Sequence, residues 1–330
     1  MAIVTNTFQS TSAVGNREEL SNIVNRITPE DTPIYSAMGK GKASSTSPQW
    51  EIDTLRSPAA NAQLEGDEYA FSAITPPARV KNQTQIFRQG WVVSNTQEAV
   101  DNAGNVEKFA EKKIKSGIEV RKDVELSIIS NTASVAGATR VSGGLPSWIT
   151  TNVSRGSSGA NGGYSSGTGL TVAETTGTQR AFTKALLDTG MQAAYVSGGN
   201  PRDIQVSPYV KSVFVTFMSD TNVAAFRYDA GKAGKNTIVG TADMYEGPFG
   251  KVTVTPNRVM ASSAAVARRV FGLDYDLLEW LWLRPIQEDP NLAKTGDARK
   301  GMIIGEGTLK VGNEAGLFEI ADVFGLTAAS

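Results

Sequence analysis

The chain of 330 residues contains no cysteine and no histidine, and each absence excludes a class of chemistry. Without thiols there is no disulfide scaffold, no thiolate nucleophile and no cysteine-ligated zinc or iron–sulfur site. Without imidazole there is no Ser-His-Asp or Cys-His arrangement, no His-ligated metal and none of the side chain whose ordinary pKa lies nearest neutral pH. We therefore expect no cofactor and no metal. Catalysis by carboxylates, lysine or tyrosine remains open.

An excess of charge and long apolar runs are also missing. The 32 basic and 33 acidic residues give a net charge of −1, so the sequence predicts neither sequence-specific nucleic-acid binding nor membrane binding. No run approaches the ~18 consecutive apolar residues of a membrane span. Residues 1–6 lack the basic and apolar parts of a secretory signal, which predicts a cytoplasmic product. With 40% hydrophobic residues, the chain can form a folded core of about two domains.

Three short motifs resemble catalytic or binding sites, and none has the required context. Gly163-Tyr164-Ser165-Ser166-Gly167 matches a nucleophile elbow but lies in a Gly/Ser-rich stretch of a histidine-free chain. Gly234-Lys235-Asn236 lacks the Ser or Thr of a phosphate loop. Asp274 and Asp276 could bind a divalent cation, although such a pair more often lies in a turn. We predict no catalytic residue and no enzyme. A carboxylate-dependent enzyme such as a carbohydrate hydrolase is the alternative, because distant acids can converge in a fold.

Residues 1–45 are predicted to form an arm, because their short helical patterns are interrupted by prolines at 29 and 33. Residues 46–98 are predicted to form a long hairpin. Trp50 and Ile52 alternate with acidic residues, as in a strand with one apolar face, and the run from Val80 to Val93 returns. An isolated two-stranded hairpin is marginally stable in water, so this ribbon needs another surface to lie on.

Charge is sorted along the hairpin. Acidic residues lie near its tip and basic residues on its return, and the six are Glu65, Asp67, Glu68, Arg79, Lys81 and Arg88. We expect the acidic tip to meet basic surface on a neighbouring subunit, so that these six residues make contacts between subunits. The alternative is a solvated loop with scattered charges.

Residues 105–130 carry the strongest helical pattern of the chain. Apolar residues recur at four-residue spacing, with the charged residues, Glu125 among them, on the other faces; the apolar positions are Val106, Ala110, Ile114 and Ile118, joined by Phe109, Gly117, Val124 and Ile128. Residues 154–169 are rich in Gly and Ser and are predicted to form a flexible loop.

The rest of the chain alternates helices and strands and then ends in strands. Helices are predicted over 179–196 and 208–219, a strand over 203–207, and a hairpin over 237–256 that turns at residues 246–248. Strands are predicted over 277–285, 302–311 and 317–323. The first of them is apolar on both faces, as expected of a strand that is covered on both sides.

An arm, a long hairpin, a long charged helix, a mixed segment and returning strands follow one another in a distinctive order. This order resembles the Hong Kong 97-type major capsid proteins of tailed bacteriophages. Short stretches are also similar to one phage capsid branch, namely Asp31-Thr32-Pro33-Ile34-Tyr35, Gly144-Leu145-Pro146-Ser147-Trp148-Ile149, Leu292-Ala293-Lys294-Thr295-Gly296-Asp297 and Glu306-Gly307-Thr308-Leu309-Lys310-Val311. The order carries more weight than any one stretch, because each stretch is short.

The resemblance implies an α+β fold with an arm (1–45), an extended loop (46–98), a peripheral domain (99–178 and 273–330) that includes the spine helix, and an axial domain (179–272). It implies a structural protein that assembles with itself into hexamers and pentamers of an icosahedral shell enclosing the genome, in a virion assembled in the host cytoplasm. Portal, scaffolding and decoration proteins are further candidate partners. Another virion protein, such as a tail component, is the alternative.

Two family features are not expected here. Some members crosslink a loop lysine to an asparagine, but residues 57–77 contain no lysine. The arm is also too short to be a scaffolding extension, which favours a separate scaffolding protein or none.

Overall fold

The structure is a computed structural model, and it describes residues 30–66, 68, 71, 73–100, 108–217 and 243–325. The helices of this part are α1 (Pro33–Ala37), α2 (Asn95–Ala99), α3 (Lys108–Ile129), α4 (Lys184–Val196), α5 (Pro208–Thr216) and α6 (Ala264–Ala267). Its strands are β1 (Gly39–Lys42), β2 (Gln49–Ile52), β3 (Ala78–Lys81), β4 (Gln85–Ser94), β5 (Val153–Ser154), β6 (Gly163–Ser165), β7 (Leu170–Val172), β8 (Asp203–Val206), β9 (Met244–Gly247), β10 (Gly250–Pro256), β11 (Val270–Leu273), β12 (Leu278–Glu288), β13 (Ala298–Val311) and β14 (Phe318–Ile320).

Helix α3 confirms the predicted spine helix, whose first residues lie outside the described ones. It has 22 residues and is about 33 Å long at ~1.5 Å per residue. Its buried stripe includes Phe109, Val120, Val124 and Ile128, and it packs on β4 and β13. The prediction for Ile114 was wrong, because its side chain is 64% exposed. At about 100° per residue, Ile114 lies more than 100° around the helix from both Phe109 and Val120.

A four-stranded sheet in the order β1-β12-β13-β4 lies under α3. Strand β13 pairs antiparallel with β4 from Ala298↔Ser94 to Gly307↔Gln85. The indole of Trp91 lies against this strand at Gly301, where an added Cβ would be 2.3 Å from the ring. The strands predicted over 277–285 and 302–311 are confirmed in β12 and β13, which extend three residues further at the C-terminus of β12 and four further at the N-terminus of β13.

A six-stranded sheet in the order β5-β14-β11-β8-β10-β9 holds a second apolar core with α4 and α5. The predicted start of the first of these helices at residue 179 was wrong. The helix begins after Thr183, whose hydroxyl accepts the N–H of Leu186 as an N-cap. Before it, the N–H groups of Arg180 and Phe182 donate to the carbonyls of Asp322 and Gly325, which holds this segment extended.

The prediction of one long hairpin over residues 46–98 was wrong in its pairing. Strands β2 and β3 pair over only four residues on each strand, from Gln49↔Lys81 to Ile52↔Ala78. The return run is interrupted after Lys81, because the buried Asn82 amide donates to the carbonyls of Gly143 and Leu309. The chain then continues as β4, which pairs with β13 and so belongs to the four-stranded sheet.

The prediction of a flexible Gly/Ser loop was also wrong. The Gly/Ser segment, residues 154–169, begins at the end of β5 and contains β6, which pairs with β7 from Gly163↔Val172 to Ser165↔Leu170. Its glycines allow close backbone approach: a Cβ on Gly156 would lie 1.8 Å from the carbonyl oxygen of Thr178. A composition that favours flexibility here permits tight packing instead.

Candidate intersubunit contact surface

The distal loop, residues 53–77, joins β2 to β3, and its described residues form neither helix nor strand. Prolines at 58, 76 and 77 remove backbone donors, and Gly66 turns the chain with a φ of +84°. Large apolar side chains on this loop lie almost entirely in solvent: Leu55 is 99% exposed, Leu64 78%, Phe71 91% and Ile74 95%. Single exposed apolar residues are common, but four within one loop indicate a surface that another molecule covers.

The acidic residues of the predicted contact lie at the turn of this loop. Glu65 and Glu68 are exposed, and Asp67 lies outside the described residues. Within the part of the chain that the structure describes, no ion pair joins Glu65 or Glu68 to Arg79, Lys81 or Arg88. The described basic residues of the same hairpin and of β4 therefore leave these two carboxylates without an ion pair.

The basic residues of the predicted contact lie in two places. Arg79 and Lys81 flank the buried Val80 on β3 and point to the same side of the strand. Arg79 makes an ion pair with Glu51 across the hairpin at 3.5 Å, and both side chains are more than half exposed. Arg88 is exposed on β4, opposite Ile304 of β13, and so belongs to a different sheet. The Arg79–Glu51 pair within one chain was missed, although the two residues face each other in a short hairpin.

A groove of about 770 Å³ lies beside the base of the distal loop. Apolar side chains from several elements line it, including Ile52, Val80, Trp148, Val172 and Val311. A smaller hollow of about 230 Å³, lined by Arg79, Lys81 and the end of the Gly/Ser segment, shares Val80 and Tyr164 with the groove. The distal loop, with its exposed apolar side chains, and these two hollows are our candidates for a contact surface between subunits.

The base of the arm is fastened to α3 by Glu125, a residue that was predicted to lie on the polar face and is fully buried. Its carboxylate accepts the N–H groups of Ile34 (3.1 Å) and Tyr35 (2.7 Å) and the side-chain amide of Asn257 (2.6 Å). Burial raises the pKa of Glu125, and the hydrogen bonds oppose that rise. No periodicity in the sequence marks this residue as a contact between three segments.

Comparison with known proteins decides the family. The profile of the SU10 major capsid protein family matches residues 3–324. The chain belongs to the SU10 major capsid protein family. It is also 30% identical over 127 residues to the major capsid protein of Escherichia phage Phieco32, a stretch that covers 38% of this chain and 36% of that relative. The prediction of a phage major capsid protein is confirmed.

Solved capsid structures share the fold of this SU10-family protein. The capsid asymmetric unit of Cyanophage Pam1 matches with a TM-score of 0.62 and 12% identity, over 99% of this chain and 100% of that one. The capsid asymmetric unit of Cyanophage A-1(L) matches with a TM-score of 0.61 and 12% identity, over 96% and 98%. These similarities confirm the predicted α+β, Hong Kong 97-like fold.

The described sequence motifs that resemble catalytic or binding sites form a strand and a turn in this capsid protein. Gly163 to Ser165 form β6, and the elbow motif that they begin has no histidine in the chain to act as its base. Asp274 accepts the N–H groups of Asp276 and Asn200, as a turn residue does. Gly234-Lys235-Asn236 lies outside the described residues. Among the described residues there is no group of acidic side chains arranged to hold a metal, and no helix long and apolar enough to cross a membrane.

Proposed function

We propose that this capsid protein assembles into hexamers and pentamers of an icosahedral shell, and that neighbouring subunits are joined by the distal loop. One subunit supplies the loop, and the next supplies the surface that covers it. The observation that carries this proposal is the exposure of four large apolar side chains on a loop with no secondary structure of its own. Burying each would contribute roughly 1.5–3 kcal/mol, so a neighbour that covers the loop gains substantial free energy.

Charge complementarity supports the same arrangement. Glu65, Asp67 and Glu68 lie on the loop, whereas Arg79, Lys81 and Arg88 lie on strands, and the described carboxylates make no ion pair with those strands in the same chain. Pairing between subunits would fix register and orientation more than it adds affinity. Arg88 lies on another sheet than Arg79 and Lys81, so it would contact a different part of a neighbour.

The remaining expectations follow from a structural role. We infer that the protein has no enzymatic activity, that it is assembled in the host cytoplasm, and that portal, scaffolding and decoration proteins meet it in the particle. The family consists of structural capsid proteins, which supports the first of these inferences.

The charge contact is tested by removing the acidic residues of the loop together. The triple variant Glu65→Gln, Asp67→Gln and Glu68→Gln should fold like the wild type but assemble poorly, because only the contact between subunits loses its charges. Negative-stain microscopy and sedimentation would measure particle yield at low and high salt, and circular dichroism would measure folding. Salt should weaken assembly of the wild type more than that of the variant, since exposed ion pairs are screened.

A matched control changes three exposed carboxylates elsewhere, as Asp243→Asn, Glu246→Gln and Asp276→Asn. This control alters the net charge by the same amount and should assemble like the wild type. If the loop variant forms normal particles at both salt concentrations, the proposed charge contact between subunits is contradicted. If the wild type remains a monomer under all conditions, the shell function itself is contradicted.

A further inference from the structure

We propose that the apolar groove beside the base of the distal loop receives the distal loop of a second copy, with Leu64 in the groove and Glu65 and Glu68 at its basic end. This inference rests on the proposed function, because it names the surface that a neighbouring subunit's loop covers.

The groove has a preformed aromatic floor. Trp148 is 2% exposed, and its ring stacks on Tyr164 with centroids 5.7 Å apart and 7° between the planes. Trp50, which does not itself line the groove, supports Trp148 with ring centroids 5.4 Å apart, and its indole N–H donates to the carbonyl of Val311 at 2.8 Å. The side chains that form this floor are thus held by one another and by the backbone. Binding a ligand would therefore cost little conformational entropy at these side chains.

The apolar walls of the groove come from four different strands or their ends. Ile52 and Val80 come from the hairpin at the base of the loop, Val172 from β7 and Val311 from β13. The lining also includes polar residues, among them Glu314, whose carboxylate already accepts the N–H groups of Thr150 and Thr151. Val172 is 52% exposed, which is high for a valine in a strand. An apolar concavity of about 770 Å³ is large enough to hold several side chains.

One end of the groove is basic. The smaller hollow that adjoins it at Val80 and Tyr164 is lined by Arg79 and Lys81, and the Lys81 side chain lies beside Gly169. The Arg79–Glu51 pair is exposed, so it costs little to exchange Glu51 for another carboxylate. Passing along the surface, a ligand therefore meets an apolar site and then two cations.

The distal loop presents the complementary sequence. Leu64 is followed directly by Glu65, and Glu68 comes three residues later, all in solvent. Even fully extended, the four steps from Leu64 to Glu68 span at most roughly 14 Å, and the turn at Gly66 brings the two residues closer. Because the two hollows adjoin at Val80 and Tyr164, one short stretch of the loop can face both. Apolar contact and opposite charge thus occur in the same order on both surfaces.

The occupant has to come from another copy. Of the described loop residues between Thr54 and Ala78, none lines the groove, and Leu64 is 78% exposed in its own chain. The loop also carries the densest set of large exposed apolar side chains in the described part of the chain. A second copy supplies the same loop to every subunit, which suits a shell built from identical contacts.

Engineered cysteines test this contact directly, because the natural chain has none to interfere. The double variant Leu64→Cys and Val172→Cys should form disulfides between subunits in assembled particles under mild oxidation. Non-reducing gels should then show most chains shifted into dimers and a ladder of higher multimers. Reduction should return every band to the monomer.

Two further pairs complete the test. Leu64→Cys with Gln192→Cys is the control and should give no ladder, because Gln192 is an exposed residue of α4 that lines neither hollow. Glu68→Cys with Lys81→Cys repeats the measurement at the basic end and leaves the apolar walls intact, in case the first pair does not assemble. Multimers from either groove pair support the proposal.

Particles that form but give no ladder with either groove pair overturn the groove assignment and leave the shell function standing. A crosslink confined to the monomer band would show that the loop binds its own groove, and it overturns the assignment as well. Failure of the wild type to form particles contradicts the proposed function instead, so the two failures are distinguishable.

Discussion

The distal loop and the Gly/Ser segment look alike as sequences and behave in opposite ways in the fold. Both are rich in small, polar or turn-forming residues. The distal loop leaves its large apolar and described acidic side chains in solvent, whereas the Gly/Ser segment pairs with β14 and β7 and contributes Arg155 to a buried charge cluster. The difference lies in a few charged residues with partners elsewhere in the chain, which composition alone does not reveal.

The buried cluster joins the Gly/Ser segment to the sheet. Arg155 lies in the segment and Glu174 just after it, while Arg269 directly precedes β11 and Glu319 lies in β14. All four side chains are at most 5% exposed. Arg269 pairs with Glu319 at 2.6 Å and also with Glu174, which in turn pairs with Arg155. The carboxylate of Asp322 also holds the segment in place, because it accepts the N–H groups of Gly156 and Gly177. The two cations balance the two carboxylates.

The largest expected effect comes from removing one cation of the cluster. Arg269→Leu leaves Glu174 and Glu319 buried with only Arg155 beside them, and losing one partner of a buried pair costs about 3–5 kcal/mol. Urea denaturation of the unassembled subunit should show this loss. The matched change Arg79→Leu, at the base of the distal loop, breaks an exposed pair and should cost no more than about 1 kcal/mol. Equal losses would contradict the contrast between the two regions.

A smaller effect should appear in the pH dependence of stability. Burial raises the pKa of Glu319 to about 7, against the opposing attraction of Arg269 and Arg155 and with help from Glu174. A carboxyl whose folded pKa is raised contributes stability that is complete below its unfolded pKa and is lost as the pH rises through the folded value. The wild type should therefore lose roughly 1–3 kcal/mol relative to Glu319→Gln between pH 5 and pH 8.

Denaturation curves of both proteins across this range measure that difference. The comparison cancels the titration of other carboxyls, such as Glu306, whose pKa is lowered by hydrogen bonds from Thr84, Arg140 and Arg284 despite burial. A constant gap between the two proteins from pH 5 to pH 8 would contradict the account.

The smallest perturbation uses a protease and leaves the sequence unchanged. Arg56 lies in the exposed distal loop, and Arg155 lies in the buried cluster, so trypsin offers the same chemistry at both positions. In the free subunit, cleavage after Arg56 should be much faster than after Arg155, as read by mass spectrometry. In assembled particles, cleavage after Arg56 should fall. Rapid cleavage after Arg155 in the folded subunit would show that the segment is loose after all.

The sequence predicts the long helices and strands of this fold well. It predicts poorly the buried hydrogen bonds and ion pairs that join distant segments. The helix over Lys108–Ile129 and the strands β12 and β13 follow from periodicity, because long patterned segments average over local exceptions. The break after Lys81 was missed, because it depends on one buried amide at Asn82 that reaches residues far away in the chain. The polar run over residues 81–85 interrupts the apolar alternation there, but polarity alone does not show that the chain changes sheet.

The candidate contact surface is predicted in part. The sorting of charge along residues 65–88 is visible in the sequence, and the structure places the described acidic and basic residues on a loop and on two separate strands. The aromatic floor of Trp148 and Tyr164, with Trp50 packed beside it, was not predictable, because the three residues come from distant segments. Glu125 and Glu319 look like ordinary surface carboxylates in the sequence, since burial of a charge is decided by its partners.

A cryo-microscopy map of assembled particles tests the central claim most directly, which is that the distal loop is completed by a neighbouring subunit. We predict that density for residues 53–77 follows the surface of an adjacent subunit and that Leu64 and Ile74, which are 78% and 95% exposed in one chain, are buried there. A map in which this loop projects into solvent, or folds onto its own subunit, would contradict the account.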